Sequence, residues 1–171
     1  MIHQLGSAID LFIHPGEYEF ADQHFCIRTT LGSCVAIVMW HPQRQLGGMC
    51  HFMLPSRERQ AGQTLNGKYA DEALDLMFNK VAELGTRPKD YEVKLFGGGN
   101  MFVSSNRQPA SVSARNVEAA RQLIAERGLR IKSESLGGSG YRNLVFDIAR
   151  GDVWVRHVDG VEARTHNKAA Q

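Results

Sequence analysis

Cys34-Val35-Ala36-Ile37-Val38-Met39-Trp40 is the stretch of this 171-residue chain that decides its architecture. Its apolar residues occupy both parities, so a strand built from it is buried on both faces. A short buried helical segment would satisfy the same run. Upstream, residues 25–31 read as a strand that breaks at Leu31-Gly32-Ser33 before the apolar run begins. Downstream, His41 and Pro42 open a polar stretch that passes through Gly47 and Gly48 into a second apolar segment, residues 49–54, ended by Pro55. The two apolar segments predict a hairpin. With its loop over residues 41–47, that hairpin sets His51 opposite about Ile37, and a slip of one residue moves His51 to the other face.

The rest of the chain supplies the layers around this hairpin. Residues 1–24 hold Leu11-Phe12-Ile13 and the turn His14-Pro15-Gly16, which suits an edge segment. Residues 56–67 are polar without apolar period and read as an exposed loop able to border a cleft. Ala70, Ala73, Leu74, Met77, Val81 and Leu84 recur at helical spacing and predict a helix over 69–84, stopped by Gly85 and Pro88. Residues 91–96 read as a strand delivering the chain into Gly97-Gly98-Gly99-Asn100. A second helix begins near Ser113 or Asn116, either of which could cap it. It carries Val117, Ala120, Leu123 and Ile124 inward and ends at Gly128. Residues 130–135, 143–148 and 152–157 read as strands, and no periodic signal follows from Val158. The expectation is an α+β fold of mixed sheets with helices on one side. One domain spans 1–171, with its core over about 15–157 and a tail of 158–171.

Composition narrows the function. Apolar residues at 43% and charged residues at 22% are those of a globular chain. Twenty basic against eighteen acidic residues give a net charge of +2, and signs alternate as in Arg57-Glu58-Arg59, which argues against nucleic acid as a partner. The longest apolar run is too short to cross a bilayer, and the first residues lack the pattern of a signal peptide, so a cytoplasmic protein without membrane insertion is expected. Cys26, Cys34 and Cys50 are odd in number and form no CxxC pair, as suits reduced thiols.

Two of these residues could carry chemistry. Cys34 follows Gly32 and Ser33 where the chain turns into a buried strand. Successive N–H groups at such a turn can point at a developing oxyanion, which suits acyl transfer. A small core thiol is the plainer alternative. His51 sits in Met49-Cys50-His51-Phe52-Met53-Leu54, where an imidazole needs a reason: a satisfied carbonyl, a metal or catalysis. Paired, the two suggest a thiolate lowered in pKa by an imidazolium. Zinc held by residues among His24, Cys26, Cys34, Cys50 and His51 is a rival, weakened because Cys50 and His51 are adjacent and point to opposite faces of a strand. The glycines at 97–99 and at 137, 138 and 140 lack the residues of a phosphate cradle and read as turns or cleft walls. Met101 and Phe102 either offer a partner surface or fold back into the core.

Taken together, Leu31-Gly32-Ser33-Cys34-Val35, His51-Phe52-Met53-Leu54-Pro55, Lys68-Tyr69-Ala70-Asp71, Gly97-Gly98-Gly99-Asn100-Met101-Phe102, Ala114-Arg115-Asn116-Val117 and Gly137-Gly138 with Arg142 resemble the CheD family of chemoreceptor glutamine deamidases. The resemblance runs over about residues 15–155. It implies an α/β/β layered fold similar to that of the deamidating toxin CNF. The implied activity is amidohydrolysis of selected glutamines on methyl-accepting chemotaxis receptors, with Cys34 as nucleophile, His51 as base and no metal or organic cofactor. A family threonine, which in some members lies six residues before the cysteine, falls here on Arg28. Shortening the segment by one residue selects Thr29, with Thr30 the alternative. Backbone N–H groups at the turn of Gly32, Ser33 and Cys34 are the expected oxyanion donors, and Asn100, Met101 and Phe102 the expected dock for a CheC-type phosphatase. A non-catalytic adaptor that binds receptors or CheC is the competing reading.

Overall fold

The structure is a computed structural model that describes residues 7–101 and 111–159. Its strands are β1 (Ile9–Phe12), β2 (Tyr18–Asp22), β3 (Phe25–Leu31), β4 (Val35–His41), β5 (Leu46–Phe52), β6 (Glu92–Gly97), β7 (Ile131–Leu136), β8 (Tyr141–Asp147) and β9 (Asp152–Val158). Two helices, α1 (Ala70–Glu83) and α2 (Val112–Glu126), accompany them. The strands form two mixed sheets, one in the order β1-β3-β8-β9 and the other β2-β5-β4-β6-β7. The parallel pairs are β1 with β3 and β6 with β7, the latter joined through α2 as the crossover that parallel pairing requires.

The two parities of β4 explain the layers. Val35, Ile37 and Met39 pack with Ala70, Leu74, Met77 and Val81 of α1 and with Ala120 and Ile124 of α2. Ala36 and Val38 instead pack with Ile27 and Leu31 of β3 and with Leu144 and Phe146 of β8. The five-stranded sheet is thus the middle layer, between helices on one face and the four-stranded sheet on the other. The architecture is α+β in α/β/β layers, and the continuous apolar run is its central strand.

Several sequence expectations shift by small amounts with large effects. The hairpin is closed by residues 42–45, with Gln45 left-handed at φ 48, and its register pairs Ala36, not Ile37, with His51. That single-residue difference turns His51 toward the second sheet and away from the helices. Neither Ser113 nor Asn116 caps α2. Ser111 does, accepting the Ala114 N–H, while Ser113 and Asn116 are buried within the helix. Val158 closes β9 opposite Tyr141 and is buried rather than part of a loose tail.

The break at residues 32–34 is more than a pause in one strand. β3 ends at Leu31 in one sheet and β4 begins at Val35 in the other, so these residues carry the chain between layers.

Ile37→Ala empties part of the helix-facing core and is expected to cost about 2–5 kcal/mol. A denaturant titration showing a loss below about 1 kcal/mol would contradict that packing.

Candidate active site

Alternation along β3 fixes which threonine can reach the layer between the sheets. Ile27, Thr29 and Leu31 are buried toward the middle sheet, whereas Thr30 is exposed and bonds Asn143 on the outer surface at 2.8 Å. Thr29 Oγ1 lies 2.8 Å from His51 Nδ1 and donates to the Ile13 carbonyl at 2.9 Å. A hydroxyl has one proton to give, and here the carbonyl takes it, so Thr29 must accept from an Nδ1–H. The tautomer follows: His51 carries its proton on Nδ1 and leaves a lone pair on Nε2. That Nε2 is buried and has no hydrogen-bond partner among the described residues. The backbone of His51 is held on the β2 side as well, its N–H donating to Glu17 and its carbonyl accepting from Gly16.

Cys34 lies on the same side of the middle sheet. It packs against the cluster between the sheets, the face shared by Ala36, and Ala36 is the cross-strand partner of His51. Ala36 faces His51 in the β4–β5 ladder, and Cys34 immediately precedes that ladder at the crossing from β3 to β4. Cys34 is half-buried, whereas Cys26 and Cys50 are buried. Cys50 pairs with Ile37 on the helix face, and burial pushes its thiol up to about 12. Cys26 belongs to β3 opposite Asp147 and Asp10. The residues of the rival zinc set are therefore divided among different layers.

Desolvation governs the charges of the pair. Burial raises the Cys34 thiol above its ordinary value, against a smaller lowering by the Ser33 hydroxyl. Burial also lowers His51 to about 4, helped by His14 and opposed by Glu17. Burial thus favours the thiol and the neutral imidazole over the thiolate and imidazolium suggested by the sequence. Both charged forms lose hydration here, and for His51 the opposing effect of Glu17 is the smaller one.

The turn that carries Cys34 is gripped from behind. The Gly32 carbonyl accepts from Gly99 N–H at 2.9 Å and the Cys34 carbonyl from Gly98 N–H at 2.8 Å. The Ser33 carbonyl between them accepts from Asn116 Nδ2 at 3.1 Å. Gly97 cannot carry a side chain: a Cβ would fall 2.3 Å from the Cys34 oxygen, and its φ is 112. The Arg142 guanidinium, buried without an ion pair among the described residues, donates to Gly97 O at 3.2 Å, Gly137 O at 2.8 Å and Ser135 Oγ at 3.1 Å. It ties the glycine strand to the second glycine loop, so both runs are walls of the cysteine turn. The Ser33 and Cys34 N–H groups donate to no acceptor among the described residues.

Of the expected docking residues, Asn100 is half-buried and its backbone pairs with the loop around Gly138 and Gly140. Met101 is exposed, and its sulfur lies so near Gly32 that a Cβ there would be 3.2 Å away. Phe102 is outside the described residues. The sequence offered Asn116 as a helix cap and, like Arg142, as part of a motif, without a role at the site. The available signal for Asn116 was its phase, since it shares the inward stripe of Ala120 and Ile124, where a polar residue requires a partner.

Fold and site together define an α+β protein with a half-buried thiol at the crossing between its sheets and a threonine-bound imidazole between them. The family model described as CheD chemotactic sensory transduction matches residues 53–157. A protein of Dechloromonas aromatica named "probable chemoreceptor glutamine deamidase CheD 3" is 42% identical over 158 residues, covering 92% of this chain and 93% of its own. One of Albidiferax ferrireducens, named "probable chemoreceptor glutamine deamidase CheD 2", is 49% identical over 152 residues, covering 88% of each. The chain belongs to the CheD family. Among solved structures, the Bacillus licheniformis hypothetical protein YfiH is similar over 71% of this chain and 49% of that one, at 14% identity and a TM-score of 0.45.

The charge state of His51 makes a prediction about stability. Its folded value of about 4 lies below the unfolded value near 6.5, so between these the unfolded chain binds more protons. The stabilisation is complete above about pH 6.5 and is lost as pH falls toward 4, by up to about 3 kcal/mol. Denaturant unfolding at pH 7 and 4.5 should show a larger acid loss in wild type than in His51→Phe; equal losses would contradict the assigned burial.

Proposed function

We propose that this chain hydrolyses the side-chain amide of selected glutamines on methyl-accepting chemotaxis receptors, giving glutamate and ammonia. The observation that carries the chemistry is the directed pair of hydrogen bonds through Thr29, which leaves His51 Nε2 as an unpartnered base on the face shared with Cys34. The names of the relatives supply the substrate.

His51 Nε2 removes the Cys34 thiol proton as sulfur attacks the glutamine δ-carbonyl. A neutral base and a neutral thiol serve this step without a standing ion pair, since charge develops only as the carbon–sulfur bond forms. The Ser33 and Cys34 N–H groups meet the oxygen on which negative charge gathers, while Gly32 contributes through its backbone by anchoring the turn. The imidazolium then returns its proton to the nitrogen, and ammonia departs from a thioester. Water, deprotonated by the same Nε2, attacks the thioester carbon, and the released sulfur recovers a proton. Each cycle replaces a neutral amide by a carboxylate. These steps require neither metal nor organic cofactor.

The same reading makes the chain one cytoplasmic domain. Met101, exposed beside Gly32, would put an apolar side chain at the rim of the site. With Asn100 and Phe102 it would form the contact for a receptor helix or a CheC-type phosphatase.

Incubating a receptor cytoplasmic fragment with the protein should release ammonia and add about one mass unit at discrete glutamines. Cys34→Ala should reduce this to background, and His51→Ala should lower kcat on the order of 10²- to 10⁴-fold. In wild type, kcat/KM should fall on the acid side only as pH nears about 4, where His51 protonates. Continued glutamate formation by Cys34→Ala would reject the thiol mechanism. Unaltered receptor binding with no deamidation by wild type would leave the adaptor reading in its place.

A further inference from the structure

We propose that Asn116 is a positioning residue for the reaction: it holds the peptide between Ser33 and Cys34 so that the Cys34 N–H is aimed at the oxyanion. The inference rests on the deamidase reading above and adds a residue that no part of the thiol mechanism requires.

Asn116 is fully buried on the inward stripe of α2. Its Nδ2 donates to two carbonyls, Ser33 at 3.1 Å and Met53 at 2.8 Å. Two acceptors at one terminus settle the amide orientation, because the flipped side chain would set an oxygen against both carbonyls. One NH₂ group therefore joins the residue before the nucleophile to the strand end two residues past His51. Its Oδ1 accepts no hydrogen bond among the described residues, so those two donor bonds are the polar interactions that fix this side chain.

The two ends of this bridge are not equally dependent on it. His51 is set by the β4–β5 ladder and by bonds to Glu17, Gly16 and Thr29. The Ser33–Cys34 peptide belongs to no ladder, and Asn116 is what holds its carbonyl. In a planar trans peptide the C=O and the following N–H point in opposite directions. Drawing the Ser33 oxygen toward α2 therefore turns the Cys34 N–H away from the helix. Losing the amide frees that plane to rotate, while the sulfur and the imidazole keep their places.

The test separates oxyanion stabilisation from thiol reactivity. Alkylation of Cys34 by iodoacetamide needs the sulfur and its base but builds no tetrahedral oxyanion. For Asn116→Ala on a receptor cytoplasmic fragment, kcat should drop on the order of 10- to 100-fold with KM changed by less than about twofold. The alkylation rate and its pH dependence should stay within about twofold of wild type. Asn116→Ser, which keeps one shorter donor, should be intermediate, and it decides the question by the same two rates if the alanine variant does not fold. Unchanged kcat overturns the inference, as does a parallel fall of kcat and alkylation, which marks a purely structural role. A wild-type protein that alkylates normally yet releases no ammonia overturns the deamidase reading itself and the inference with it.

Discussion

The chain must leave one sheet and enter another within residues 32–34, and the backbone polar groups of that crossing lie outside any ladder. Buried carbonyls without partners would be costly, so each must be met by something else. Gly99, Asn116 and Gly98 meet the carbonyls of Gly32, Ser33 and Cys34 in turn. The requirement reaches far from the cysteine. Gly97 must lack a side chain because the Cys34 oxygen occupies the space, and Gly98 because Val117 of α2 does. Arg142 is buried because the carbonyls of two glycine segments converge there.

This crossing also sets the electrostatic character of the site. With the Gly32 carbonyl engaged by Gly99 and the Ser33 carbonyl by Asn116 of α2, the N–H ends of the same peptides point away from those donors. Burial favours the neutral forms of both the thiol and the imidazole at rest. On the proposed reading, charge appears only in the transition state and meets dipoles already oriented, which is where preorganisation lowers a barrier. A resting thiolate would attack sooner but would also be oxidised more readily, since reactivity toward oxidants follows thiolate character.

What the sequence disclosed was governed by local pattern. The apolar parities of 34–40 and the helical spacing of 69–84 specify burial, and the structure places β4 and α1 accordingly. The register of the hairpin was not legible, because loop length alone left His51 opposite Ile37 or Ala36, and only tertiary packing chooses. The cap of α2 was misplaced because Ser111, Ser113 and Asn116 all have capping side chains. Ser113 and Asn116 instead lie in the interior, Asn116 held there by partners 63 and 83 residues away. Thr29 and Thr30 are equivalent in composition and differ only in which side of β3 they occupy. The change of sheet at residue 32 has no local signature, since a strand that breaks and resumes looks the same whether or not it changes layer.

Each layer contributes a different element to the site. Thr29 comes from the outer sheet, His51 from the middle sheet, Cys34 from the connection between them, and Asn116 from the helices. Because no single element holds the constellation, its geometry is set by the spacing of the layers, and interiors packed at close to crystalline density keep that spacing narrow. A core substitution that lets the helix layer shift would therefore disturb the Ser33–Cys34 peptide through Asn116 before it disturbed the Thr29–His51 pair, which bridges the two sheets alone. On the proposed reading, the two halves of the site are thereby tied to different cores: the proton-transfer half to the cluster around Ile27 and Phe146, and the nucleophile's backbone to the cluster around Leu74 and Ile124.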